Sequence, residues 1–141
     1  MGFFDFFRAS PTPVEKYSDP ALGDMCWSDD DEAWAGSYNG TQYLLAYGKT
    51  ASPSEGLLGY VRSILADLSR VEDSLASDKA KAVNAYPHLA EEINSLRLGR
   101  FFFYGHKGTN RLLIDLDGGR DFRSWRCEFK GTTPEGIGFD D

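Results

Sequence analysis

The sequence predicts an α+β fold. The expected architecture is antiparallel sheet from two three-stranded meanders, in the order βββ-αα-βββ, packed on one long central helix. Three observations carry this reading. Asn39-Gly40 stands between two β-prone runs and accepts the positive φ angles of a type I′ hairpin turn. Leu57, Val61, Ile64, Leu68, Val71 and Leu75 recur at helical spacing, with Leu58 and Leu65 widening the stripe. From Leu98 to Lys130 the period changes to two, as in half-buried strands. The βαβ repeat of a doubly wound parallel fold does not occur.

The first meander is expected to begin with a strand over Leu22–Trp27, and Ser28–Glu32 connects it to the hairpin. Counting outward from Asn39-Gly40 puts Tyr38 opposite Thr41, Gly36 opposite Tyr43 and Trp34 opposite Leu45. Trp34, Gly36, Tyr38, Tyr43, Leu45 and Tyr47 then share one face, which is the core face. A tyrosine opposite a strand glycine covers the backbone that the glycine leaves bare.

In Ser52-Pro53-Ser54-Glu55, Ser52 is placed as the N-cap, Pro53 at the first helical position and Glu55 three residues past the cap. One helix is expected from about Pro53 to about Leu75, with Arg62, Asp67, Arg70 and Asp73 facing water. A weaker helix over Ser77–Tyr86, with Ala80, Val83 and Tyr86 inward, ends at Pro87, and a short turn carries Leu89, Ile93 and Leu96. The second meander reads Leu98–Tyr104, Arg111–Asp117 and Phe122–Lys130. Leu112, Ile114 and Leu116 fall on one face, as do Trp125, Cys127 and Phe129. Gly131–Asp141 reads as a glycine-rich tail.

A chain of 141 residues with 41 % hydrophobic and 14 % aromatic residues suits one globular domain. Residues 1–20 read as a phenylalanine-rich opening and a proline-rich linker carrying Pro11, Pro13 and Pro20, and residues 21–141 as the domain. Phe3, Phe4, Phe6 and Phe7 form a run too short for the apolar part of a signal peptide. A membrane span needs ~18 apolar residues, and none is present. The formal charge of −7 disfavours nucleic acid and favours a basic protein partner. Cys26 and Cys127 match no zinc or redox spacing and read as reduced core cysteines in a cytoplasmic protein. The leucine stripe leaves monomer and homodimer both open.

Candidate chemistry is sparse. Cys127 with His106 is the nucleophile–base pair to consider, or else clustered carboxylates. Against that pair, Cys127 points inward on a regular strand, and His106 lies in a glycine-flanked turn. Asp115-Leu-Asp117-Gly118 opens like a calcium loop, but Arg120 and Arg126 stand where that loop needs glycine and an acid. No cofactor or metal is therefore expected. The candidate partner-binding residues are the acids Asp29, Asp30, Asp31 and Glu32, with Asp115 and Asp117, and the aromatic anchors Trp27 and Tyr17; the other reading of these acids is as solvated turn residues.

The Met-Gly-Phe-Phe-Asp-Phe-Phe opening and the block from Leu22-Gly23-Asp24-Met25 to Trp34-Ala35-Gly36 resemble small bacterial proteins of uncharacterised families. These carry a similar Leu-Gly-x-hydrophobic…Trp-x-Gly hairpin before a helical middle and a β-rich end. Some comparable families act as immunity proteins beside secreted toxins. The resemblance implies a cytosolic, acidic, non-enzymatic inhibitor of a toxin-like partner. It carries no site residues onto this chain.

Overall fold

The computed structural model describes residues 16–46 and 53–141. Expectations for Met1–Arg8, for Tyr47 and for Ser52 as a cap lie outside them. Of the described residues 46 % are strand and 32 % helical, so the molecule is mostly sheet. It is not two three-stranded meanders on a long helix. All eight strands join one sheet, in sequence order: β1 (Lys16–Asp19), β2 (Gly23–Ser28), β3 (Ala33–Tyr38), β4 (Thr41–Leu45), β5 (Arg97–His106), β6 (Thr109–Asp117), β7 (Ser124–Lys130) and β8 (Thr133–Asp140). Neighbours are antiparallel except β4 and β5, which pair in parallel over Tyr43–Leu45 and Phe101–Phe103. The segment between them supplies the helices, since parallel neighbours need a long crossover.

The hairpin register is the one expected. Trp34 faces Leu45, Gly36 faces Tyr43 and Tyr38 faces Thr41. Asn39 and Gly40 have φ of 48° and 83°, as a type I′ turn requires. Tyr43 and Leu45 are buried, and Tyr43 lies over Gly36 so closely that a Cβ there would fall 2.4 Å from its hydroxyl.

The central helix is broken. α1 spans Glu55–Leu65 and α2 Leu68–Ala85, joined at Ala66-Asp67. Asp67 has φ −136° and ψ 62°, outside the helical region. The apolar stripe nevertheless crosses the break, with Leu57, Val61, Ile64, Val71 and Leu75 buried and Leu68 half-buried. Ser54 caps α1 and accepts from the Leu57 N–H at 3.2 Å. Arg62 does not simply face water, because its guanidinium donates to the buried Asp19 carboxylate. Beyond Leu75, α2 turns Asp78 and Ala82 inward with Val83 half-buried against the core, whereas Ala80 and Tyr86, expected inward, are exposed. A 3-10 turn at Pro87–Leu89 leads into α3 (Ala90–Ser95).

One core lies between the helices and one sheet face. Met25, Trp34, Leu45, Phe101, Phe103, Leu112, Ile114, Trp125, Cys127 and Phe129 meet Leu58, Val61, Val71 and Ile93 there. Burying a leucine or phenylalanine of this kind contributes ~1.5–3 kcal/mol.

Candidate functional site

β2 ends at Trp27 and Ser28, and the next four residues form the acidic turn. Trp27 sits opposite Trp34 in the β2–β3 ladder and packs edge-on against it, with ring centroids 5.6 Å apart. Tyr17, on β1, approaches the same ring at 6.4 Å. Both anchors are half-buried at this edge of the sheet. Asp29, Asp30, Asp31 and Glu32 are all exposed. The turn is shaped from within. The Trp27 indole N–H donates to Asp29 at 3.0 Å, and Ser28 Oγ donates to Asp31 at 3.0 Å while accepting the Asp31 N–H. Glu32 has φ 51°, an uncommon conformation for a residue with a Cβ.

The other two candidate acids lie on β6. Arg100 links Asp115 to the turn: its guanidinium is 3.8 Å from Asp115 and 3.9 Å from Asp31. These are loose, solvent-exposed contacts, each contributing only ~0–1 kcal/mol. Asp117 stands apart, exposed beside Gly99, where an added Cβ would come within 3.0 Å of its carboxylate. It lines an open crevice of about 500 Å³ with Gln42, Glu72 and Arg100. The structure thus assembles Tyr17, Trp27 and the four turn acids, reaches Asp115 through Arg100, and leaves Asp117 outside the group.

The remaining sequence candidates part company. Cys127 is 1 % exposed on the helix side of β7, and burial pushes its thiol up to about 12. His106 is exposed at the end of β5, paired with Thr109, whereas Cys127 pairs with Ile114 further down β6. No nucleophile–base contact forms between them. Cys26 is exposed rather than in the core, because it alternates with the inward Met25 and points to the opposite sheet face. Among the described residues, no three His, Cys, Asp or Glu side chains cluster as a metal would require, and no helix is long and apolar enough to cross a membrane.

One surface feature escaped sequence reasoning. Tyr86 and Phe122 are the large hydrophobic residues most open to solvent among those described, at 40 % and 66 % exposure, and both belong to one aromatic patch. Phe139 packs 5.3 Å from Tyr86 and 4.7 Å from Trp125, and the Arg123 guanidinium lies over Phe122 and Phe139 at 4.9 and 5.4 Å. Asp141 accepts from Arg123 at 2.8 Å. Glu92, on α3, accepts from Arg123, from the Trp125 indole and from the Arg120 N–H at 3.2 Å. Burial pushes the Glu92 carboxyl up, but those donors outweigh it and hold it below the usual range. One signal was present in the sequence: Phe122 falls off the inward register of Trp125, Cys127 and Phe129, and in the structure it lies in a turn, the strand beginning only at Ser124. Compared with models of known families, with curated proteins and with solved structures, the chain finds no match.

Proposed function

We propose that this protein is a non-enzymatic binding module of the immunity or antitoxin type, acting in the cytoplasm on a basic partner protein. The observation that carries the reading is the joining of charge and anchor at one edge. Four exposed acids, Asp29 to Glu32, come one residue after Trp27, which packs edge-on against Trp34 beside Tyr17. Exposed carboxylates steer a cationic partner and raise the association rate, while a half-buried tryptophan and tyrosine supply area to desolvate. The net charge of −7 adds long-range attraction of the same sign.

The alternative, an enzyme using Cys127 and His106 or clustered carboxylates, has no comparable support. The thiol is buried away from the imidazole.

The test is kinetic. A photo-crosslinking residue at Tyr17 identifies the partner, and stopped-flow association is then followed across salt concentrations. Changing Asp29, Asp30 and Asp31 to Asn and Glu32 to Gln slows association several-fold at low salt, with convergence at high salt. Folding stability changes by less than about 0.5 kcal/mol, as is usual for surface sites. Wild-type association by the variant at every salt concentration overturns the proposal.

A further inference from the structure

The helices cover one face of the sheet, and the other face carries an apolar row of its own. Following the ladder across, Lys16 pairs with Cys26, Cys26 with Ala35, Ala35 with Leu44, Leu44 with Phe102 and Phe102 with Leu113. These residues alternate with the buried Met25, Trp34, Leu45, Phe103 and Leu112, so they point away from the helices. Phe102 stacks on Tyr104, ring centroids 5.6 Å apart, and Ala35, Phe102, Tyr104 and Leu113 are half-buried. Leu44 is 6 % exposed and Ala33, on the same face, 0 %, yet neither belongs to the core beneath the helices. No described helix lies over this face.

We propose that the phenylalanine-rich segment 1–8 of this same chain docks on that row. Three observations single it out as the occupant. First, the chain enters the sheet at Lys16, which is itself the end of the row. Second, the distances agree. Leu44, Phe102 and Leu113 lie three, four and five strand spacings from Lys16, or about 14, 19 and 24 Å at ~4.8 Å each. Phe7 is nine residues before Lys16, a reach of about 28 Å in the extended form that Pro11 and Pro13 favour. Third, the chemistry agrees. Phe3, Phe4, Phe6 and Phe7 fall within five residues, with Asp5 between them and the oppositely charged Arg8 directly after. Four rings over Ala35, Leu44, Phe102 and Leu113 remove apolar surface from water on both sides, the driving force being roughly proportional to the area covered.

The test uses the full-length chain with a nitroxide on Glu128→Cys, in a Cys26→Ser background. Glu128 continues the row beyond Leu113, about 29 Å from Lys16 at six strand spacings. Docking predicts that the amides of Phe3 to Phe7 lose more than half their intensity to the spin label, and more than those of Ser10, Thr12 and Val14. Replacing the four phenylalanines by serine restores that intensity and shifts the amides of Leu44, Phe102 and Leu113, while the helix amides stay in place to show that the fold is intact. Unbroadened phenylalanine amides overturn the proposal, and so does broadening that survives the serine variant. The first result also covers the case in which residues 47–52 or another protein occupy the face.

Discussion

Gly36→Ala isolates the contact on which the hairpin's face assignment rests. An ideal Cβ at Gly36 falls 2.4 Å from the Tyr43 hydroxyl oxygen and 2.5 Å from ring carbon Cζ. Tyr43 has little room to retreat, since it is 1 % exposed and its ring lies edge-on to Phe103 at 6.3 Å. Overpacking of this kind costs about 1–3 kcal/mol. A chain of this size loses roughly 3 °C of melting midpoint per kcal/mol, so a drop of about 3–9 °C is expected. Urea titration with an unchanged slope checks that stability, rather than the unfolded state, has moved. Tyr43→Leu provides the second arm, because a shorter side chain vacates the space that the new methyl needs. In that background the cost of Gly36→Ala falls by more than about 1 kcal/mol, a coupling typical of residues in contact. Gly59→Ala is the control. Gly59 lies inside α1 with open space where its Cβ would go, and alanine there gains up to about 1 kcal/mol of helix propensity. Strictly additive costs at Gly36 and Tyr43 would falsify the reasoning.

Two further outcomes follow from buried groups. The Arg62 guanidinium, helped by the Ala21 and Leu22 N–H groups, holds the Asp19 carboxyl below its ordinary 3.8. Its stabilising contribution is therefore complete above pH 3.8 and disappears as pH falls through the lower folded-state value. The gap in melting midpoint between wild type and Asp19→Asn narrows on acidification below that point, and a gap independent of pH would show that the charge is irrelevant. The two thiols differ sharply. Cys26 is exposed and Cys127 is buried with its thiol pushed up to about 12, so a thiol reagent modifies one cysteine in the native protein and both after unfolding. Rapid native modification of Cys127 in a Cys26→Ser variant would contradict the packing.

What the sequence disclosed was whatever depends on local chemistry. Asn39-Gly40 set a turn whose register follows by counting, and the alternation of Leu112–Leu116 and Trp125–Phe129 set the faces of β6 and β7. The two edge strands were hidden for physical reasons. β1 reads Lys-Tyr-Ser-Asp, and β8 contains Pro134, Gly136 and Gly138, residues that weaken a strand anywhere but at an edge. Their pairing draws on the neighbour's exposed backbone and on a few side chains, Tyr17 in β1 and Ile137 and Phe139 in β8, too sparse to show as a strand pattern. The break at Ala66-Asp67 was hidden by the continuous leucine stripe, which has no glycine or proline near that point to mark it. In the candidate site, the acids and Trp27 were legible as neighbours in sequence. Arg100's bridge and the Tyr86–Phe122–Phe139 patch were not, because they join residues far apart along the chain.

The single parallel pairing has a consequence for the order in which the chain assembles. Every other ladder closes across a short turn between consecutive strands, but β4 and β5 join residues about 58 positions apart and match over only three pairs. Loop-closure entropy for that contact is about (3/2)RT ln 58, some 3.6 kcal/mol, against about 1 kcal/mol for a tight hairpin. Each four-stranded half is linked by local pairings, so the seam between them carries the largest loop-closure cost in the sheet. Contacts of such high sequence separation slow folding, so the seam is the ladder expected to close last.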